Sequence, residues 1–251
     1  MIFSLALAMA LGAASAAPRD VGVVVLHGKG GRSSGHIGGL ISELEEKGYL
    51  VAHPEMPWAK GRIYDKSYAG ALEEVDEAVR ALRAKGAKTI VVAGHSIGAN
   101  LALGYGSTRG ELAGVIALAP AHTPELGPFK RLAGDVERAR KLIVDGKGKE
   151  TRSFSDINVG KSLEVRATAE DYLSWFDPDG PAVMPKSAAG LKCPLLVVLG
   201  DSDTTARGKD YIFEKAPANP KSRFVTVEAG HVGVPDAAKA EVLAWLAALS
   251  P

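Results

Sequence analysis

Thr89-Ile90-Val91-Val92-Ala93-Gly94-His95-Ser96-Ile97-Gly98-Ala99-Asn100-Leu101-Ala102-Leu103-Gly104-Tyr105 is the stretch that decides how this chain is read. Thr89 to Ala93 is a short apolar, β-branched run, the composition of a buried strand. Ala99 to Tyr105 reads as a helix. Between them, Gly94-His95-Ser96-Ile97-Gly98 turns the chain sharply from one to the other. A serine at such a turn has strained backbone torsions and projects its hydroxyl above the sheet, and the flanking glycines let strand and helix approach closely. The pentapeptide alone is weak evidence. With 29 glycines among 251 residues, a Gly-x-Ser-x-Gly arises by chance in about one shuffled chain in five. Its weight depends on whether other parts of the chain supply the partners that such a serine needs.

Outward from that stretch the pattern alternates strand and helix. Val21 to Leu26 is a buried strand running into the loop His27-Gly28-Lys29-Gly30-Gly31. Ile37, Leu40, Ile41 and Leu44 fall at helical spacing, and Lys47-Gly48 closes that helix. Tyr49 to Ala52 is a short strand. Tyr68, Leu72, Val75, Val79 and Leu82 mark a second amphipathic helix ending at Lys85-Gly86. Further buried strands are predicted at Gly114 to Ala119, Pro194 to Leu199 and Arg223 to Val227. Ala238, Val242, Trp245, Leu246 and Leu249 give the closing helix an apolar face. Strands and helices in this order imply parallel βαβ units. The fold class is therefore α/β: a mostly parallel sheet of about six strands covered by helices on both faces. An insertion follows the fourth strand, at about 122–192. It is charge-rich, with turn signals at Gly146-Lys147-Gly148 and Asp177-Pro178-Asp179-Gly180 and a short helix opening near Thr168. It reads as a lid or binding element over the sheet's edge, not as a second domain.

Formal charge is near balance at +1, from 30 basic and 29 acidic residues well mixed along the chain, so nothing argues for nucleic acid or an anionic membrane surface as the main partner, and no nucleic acid is expected. Residues 1–17 carry no charge, are apolar or small nearly throughout, and end in the small-x-small pattern Ala14-Ser15-Ala16. They read as a signal peptide that lacks a basic n-region, too short for a comfortable membrane span, with an uncleaved anchor or a part of the fold as the alternative readings. The expectation is a periplasmic or secreted protein whose single domain covers 18–251. Cys193 is the only cysteine, so no intrachain bridge forms, and a buried, inert thiol is expected.

A serine hydroxyl needs a base within hydrogen-bond reach, and the base needs a group that fixes its tautomer. In a parallel sheet those groups lie past the carboxyl ends of strands. Two strands after Ser96 end suitably, one in Gly200-Asp201-Ser202-Asp203 and the other in Glu228-Ala229-Gly230-His231. With the loop at His27–Gly31 and the elbow around Ser96, these motifs make the chain similar to the α/β-hydrolase superfamily over nearly all of its length after residue 20. The resemblance implies a catalytic order Ser96, Asp203, His231. It selects Asp203 over Asp201, whose alternative reading is a turn residue. It also implies an oxyanion hole made by the N–H of Ile97 and the N–H of Lys29, with Gly30 as the alternative to Lys29. The implied activity is that of a serine hydrolase acting on a small-molecule ester or acyl substrate through an acyl-enzyme. Peptidase, thioesterase, lactonase and acyltransferase chemistry remain open on the same machinery, as does a catalytically silent ligand-binding protein. Some of the pattern resembles dienelactone hydrolases, which carry cysteine where this chain has Ser96.

The loop at His27–Gly31 matches neither the P-loop nor the dinucleotide glycine pattern, and no His, Asp or Glu set has metal-ligand spacing. No cofactor or metal is expected. His27 is expected to brace its loop and His95 to pack under the elbow. His53 and His122 follow strands and are candidates for substrate contact. Aromatic residues cluster at Trp58, Tyr64 and Tyr68 and again at Tyr172, Trp175 and Phe176. Such residues pack a lid to a body or line a pocket, and Trp58 and Trp175 join His122 as candidate substrate-binding residues.

Overall fold

The computed structural model describes residues 18–249 except 110 and 159; the expected signal peptide, 1–17, lies outside them. Six strands form one all-parallel sheet: β1 (Val21–Leu26), β2 (Leu50–Ala52), β3 (Thr89–His95), β4 (Gly114–Leu118), β7 (Leu195–Gly200) and β8 (Arg223–Val227), in the order β2-β1-β3-β4-β7-β8. The central strands are buried at nearly every position, which explains their continuous apolar runs: both faces are covered, so neither face needs polar residues.

Each face packs its own helices. Val21, Val23 and Val25 of β1, with Val91, Ile116 and Val198, meet Leu40, Ile41 and Leu44 of α1 (Gly38–Glu46) and Val242, Trp245 and Leu246 of the closing helix α9 (Lys239–Leu249). The alternate residues Val24, Leu26, Val92, Val115 and Val197 pack against α2 (Tyr68–Ala84) and α3 (Ile97–Thr108). Ser67 caps α2 by accepting the Gly70 N–H, and Lys85 with the left-handed Gly86 ends it. Two further short helices, α7 (Lys209–Ile212) and α8 (Val234–Ala237), lie in the loops after β7 and β8.

The segment 122–192 is more ordered than its charge content suggests. It contains α4 (Ala133–Val144), an antiparallel hairpin of β5 (Thr151–Asn158) and β6 (Lys161–Thr168), α5 (Ala169–Phe176) and α6 (Met184–Ala189). Thr168 caps α5 as its position predicts, accepting the Asp171 N–H. The hairpin is a correction to the sequence reading, which placed no strand here. One face of it is exposed, so it carries charge where a core strand would carry valine, and its buried residues are the apolar Phe154, Ile157, Val165 and Ala167 together with Asp156. The segment's position also differs from the expected place over the sheet's edge. Asp156 and Ile157 of β5 reach the loop after β1, while α6 packs on α3. The hairpin and α5 therefore form a cap above the carboxyl ends of β1 and β3.

Candidate active site

Ser96 sits between β3 and α3 with φ 59° and ψ −120°, a strained left-handed torsion for a residue with a side chain. The two glycines of the elbow are required by close approach. A Cβ on Gly94 would run into the carbonyl of Gly98, and one on Gly98 into the carbonyl of Leu26. The loops after β7 and β8, at the same edge of the sheet, then deliver the partners. His231 Nε2 stands 3.0 Å from Ser96 Oγ, and His231 Nδ1 stands 2.7 Å from Asp203 Oδ2. Asp203 is buried. Burial alone would raise its pKa, but the hydrogen bonds from His231 and Thr205 outweigh it and hold the carboxyl below its ordinary range. Asp201 is exposed and accepts the Ala229 N–H and the Ser202 hydroxyl, so it closes its own turn and does not reach His231.

Thr205 escaped the sequence reading. Its N–H and its hydroxyl both donate to Asp203 Oδ1, at 2.8 and 2.7 Å, and its Oγ is 3.0 Å from His231 Nδ1. The signal was present as an aspartate two residues ahead of a backbone N–H it can accept, the usual Asx-turn spacing.

His95 packs beneath the elbow with its ring 5.1 Å from that of His231, and its Nε2 donates to the His231 carbonyl at 2.9 Å. Burial pushes its pKa down to about 4. The native state therefore holds a neutral imidazole where the unfolded chain titrates near 6.5. That stability is fully present above pH 6.5 and is lost as pH falls through 4, because the unfolded chain takes up a proton that the native state refuses. The contribution is at most about 3 kcal/mol. Urea unfolding from pH 7 to pH 4 is expected to show a shallower loss of stability in His95→Asn than in the wild type, and equal slopes would refute the assignment.

His27 braces its loop as expected: its Nε2 accepts the Met56 N–H at 3.0 Å and its Nδ1 donates to the Gly28 carbonyl at 2.8 Å. Gly30 donates its N–H to the Trp58 carbonyl at 2.9 Å. Of the two loop donors, only the Lys29 N–H is left without a hydrogen-bond acceptor among the described residues. Ile97 opens α3, where its N–H is one of the unpaired donors of a helix start and the dipole favours negative charge.

A cavity of about 120 Å³ lies beside Ser96; Lys29, Ile97, His122, Phe129, Thr205 and Arg207 are among the residues that line it. Two of the three candidate substrate contacts are elsewhere. Trp58 and Trp175 are fully buried and pack edge to face at 5.5 Å; Trp58 donates to the His27 carbonyl and Trp175 to the Lys66 carbonyl. Their indole N–H groups are occupied and their rings join cap to body, which corrects their assignment to the substrate. His53 faces a separate surface depression with Glu55 and Arg62. His122 does border the cavity. Burial, then the nearby Lys29 charge, keeps its pKa well below the ordinary value, so it is a neutral ring. Burial likewise pushes the Cys193 thiol up to about 11, as an inert thiol requires. Among the described residues no group of three His, Cys, Asp or Glu side chains gathers as a metal site, and no helix is long and apolar enough to cross a membrane.

A strained serine between the central strand of a parallel sheet and a helix, with acid and histidine on later strand ends, defines a hydrolase of the α/β class. The chain belongs to the alpha/beta hydrolase family, whose sequence pattern matches residues 23–245. Solved structures share the fold at low identity. A monoacylglycerol lipase from Paleococcus ferrophilus superposes with a TM-score of 0.66 at 22% identity, over 91% of this chain and 95% of the other. An esterase from Pyrococcus furiosus gives 0.63 at 19%, over 92% and 83%. A siderophore hydrolase from Aspergillus fumigatus gives 0.64 at 15%, over 92% and 91%. A search of curated proteins finds no match.

Proposed function

We propose that this protein is a serine hydrolase that cleaves a carboxylic ester with a short acyl group through an acyl-enzyme. The observation that carries the reading is the unbroken line from Ser96 Oγ to His231 Nε2 at 3.0 Å and from His231 Nδ1 to Asp203 at 2.7 Å. In this reading Ser96 Oγ attacks the ester carbonyl carbon as its proton passes to His231 Nε2. Asp203 holds the proton on Nδ1, so that Nε2 is free to accept, and stabilises the imidazolium. The N–H groups of Lys29 and Ile97 receive the oxyanion. Collapse of the tetrahedral adduct expels the alcohol, which takes the proton from Nε2. A water molecule then repeats the sequence and releases the acid. A short acyl group is supported by the cavity beside Ser96, which at about 120 Å³ is small beside the roughly 300–1,000 Å³ of ordinary ligand pockets. Residues 122–192 serve as the cap over this site, and the uncharged, small-residue N-terminus supports export to the periplasm or medium.

A fluorophosphonate probe is expected to label the protein stoichiometrically at Ser96. A panel of esters, thioesters and amides is expected to show fastest turnover on p-nitrophenyl acetate or butyrate, falling with longer chains. A folded protein that takes no label would support the silent ligand-binding reading, and faster turnover of thioesters or amides would move the reaction class.

A further inference from the structure

Lys29 belongs to the loop after β1, yet its side chain ends inside the cap. The side chain is 8% exposed, and its ammonium donates to Asp156 Oδ1 at 2.7 Å and to the Ile157 carbonyl at 3.0 Å, both on β5. A third contact runs to His122 Nδ1 at 3.4 Å. The tautomer of His122 follows from its other nitrogen. Nε2 lies 2.8 Å from the Trp175 carbonyl, which can only accept, so Nε2 carries the proton and Nδ1 turns a lone pair to the ammonium. All three N–H groups of the ammonium are therefore directed at acceptors. The rings of Phe129, Phe176 and Tyr64 surround it at 5.4, 5.8 and 6.0 Å, and the Tyr64 hydroxyl donates to the other oxygen of Asp156 at 3.3 Å.

A buried ion pair is a poor device for stability, since apolar residues of similar volume often serve as well or better. What it supplies instead is direction. Three hydrogen bonds fix the ammonium in space, and the ammonium belongs to the residue that lines the cavity beside Ser96 and whose backbone N–H has no acceptor among the described residues. We propose that Lys29 is a positioning residue: clamped to Asp156 of the cap, its side chain orients its own backbone N–H toward the oxyanion. The oxyanion hole is then complete only while the cap hairpin is docked. This inference rests on the serine-hydrolase reading and adds to it a dependence of chemistry on the cap.

Two variants test it. Asp156→Asn keeps the shape and removes the charge. The double variant Lys29→Met with Asp156→Leu removes the clamp without stranding a buried charge, and leaves the Lys29-position N–H in the chain. Each is measured for steady-state kinetics on p-nitrophenyl acetate, for binding of an alkylboronic acid that forms a tetrahedral serine adduct, and for melting temperature. Loss of a whole oxyanion donor costs about 100- to 1,000-fold, so a misdirected one is expected to lower kcat by about 10- to 100-fold in both variants, with KM within about threefold. Boronate affinity is expected to fall with kcat, while the double variant melts close to the wild type. A clamp that only holds the cap would give wild-type kcat in the folded double variant, and that result overturns the proposal. If the double variant does not fold, the single variant decides: loss confined to KM also overturns it. A wild-type protein that neither turns over esters nor takes the fluorophosphonate is a different failure, because it removes the hydrolase reading itself and the clamp's role with it.

Discussion

Ser96→Ala is expected to lower kcat on p-nitrophenyl acetate by about 10⁶-fold while leaving the folded structure intact, as removal of the nucleophile does in other serine hydrolases. The size follows from what the hydroxyl does. It supplies the covalent bond of the acyl-enzyme, and the remaining His231 and Asp203 have nothing to deprotonate except water. What survives is the contribution of the oxyanion donors and of substrate binding. The fold is expected to persist because Ser96 Oγ has one side-chain partner, His231, and the strained φ of 59° is imposed by the backbone on whatever residue stands there. The backbone bonds of the elbow, from Ser96 N–H to the Leu118 carbonyl and from Ala121 N–H to the Ser96 carbonyl, do not involve the side chain. Steady-state rates, corrected for spontaneous ester hydrolysis, read the effect against a melting curve of the same preparation. Activity within tenfold of the wild type would show that another residue carries the chemistry.

The parallel sheet was legible in the sequence because its strands are buried on both faces, so Val21–Leu26 and Leu195–Gly200 read as unbroken apolar runs. The elbow was legible because sterics leave no substitute for Gly94 and Gly98. Asp203 and His231 were legible because an all-parallel sheet puts the carboxyl ends of β7 and β8 on the same edge as that of β3, with only β4 between β3 and β7. The cap was not readable in the same way. Its hairpin buries one face only, and the pair that ties it to the body, Asp156 on β5 and Lys29 in the loop after β1, stands 127 positions apart in the chain. Nothing local to either predicts the other. Trp58 and Trp175 were misplaced for a related reason. A large aromatic after a strand suits a pocket wall and a cap-to-body contact equally, and only the occupied indole N–H groups tell the two apart.

Asp203→Asn is expected to cost about 10⁴-fold in kcat, because the surroundings dictate how the amide sits. Thr205 aims two donors, its N–H and its hydroxyl, at Asp203 Oδ1. Either would repel an amide NH₂, so the asparagine oxygen is held on the Thr205 side and its NH₂ turns to His231 Nδ1. That nitrogen must then accept, which moves the ring proton to Nε2, the nitrogen 3.0 Å from Ser96 Oγ. The histidine becomes a donor to the serine and no longer a base for it. The geometry barely changes while the tautomer inverts, so KM is expected to stay within a few-fold and the loss to appear in kcat. Asp203→Ala distinguishes this from simple loss of charge. With no side chain to impose the wrong tautomer, the imidazole regains a fraction of Nδ1-protonated form, and Thr205 Oγ, 3.0 Å from Nδ1, is placed to accept that proton. The alanine variant is therefore expected to equal or exceed the asparagine variant in kcat, whereas a tenfold lower rate in Asp203→Ala would show that position and charge, not tautomer, are what Asp203 supplies.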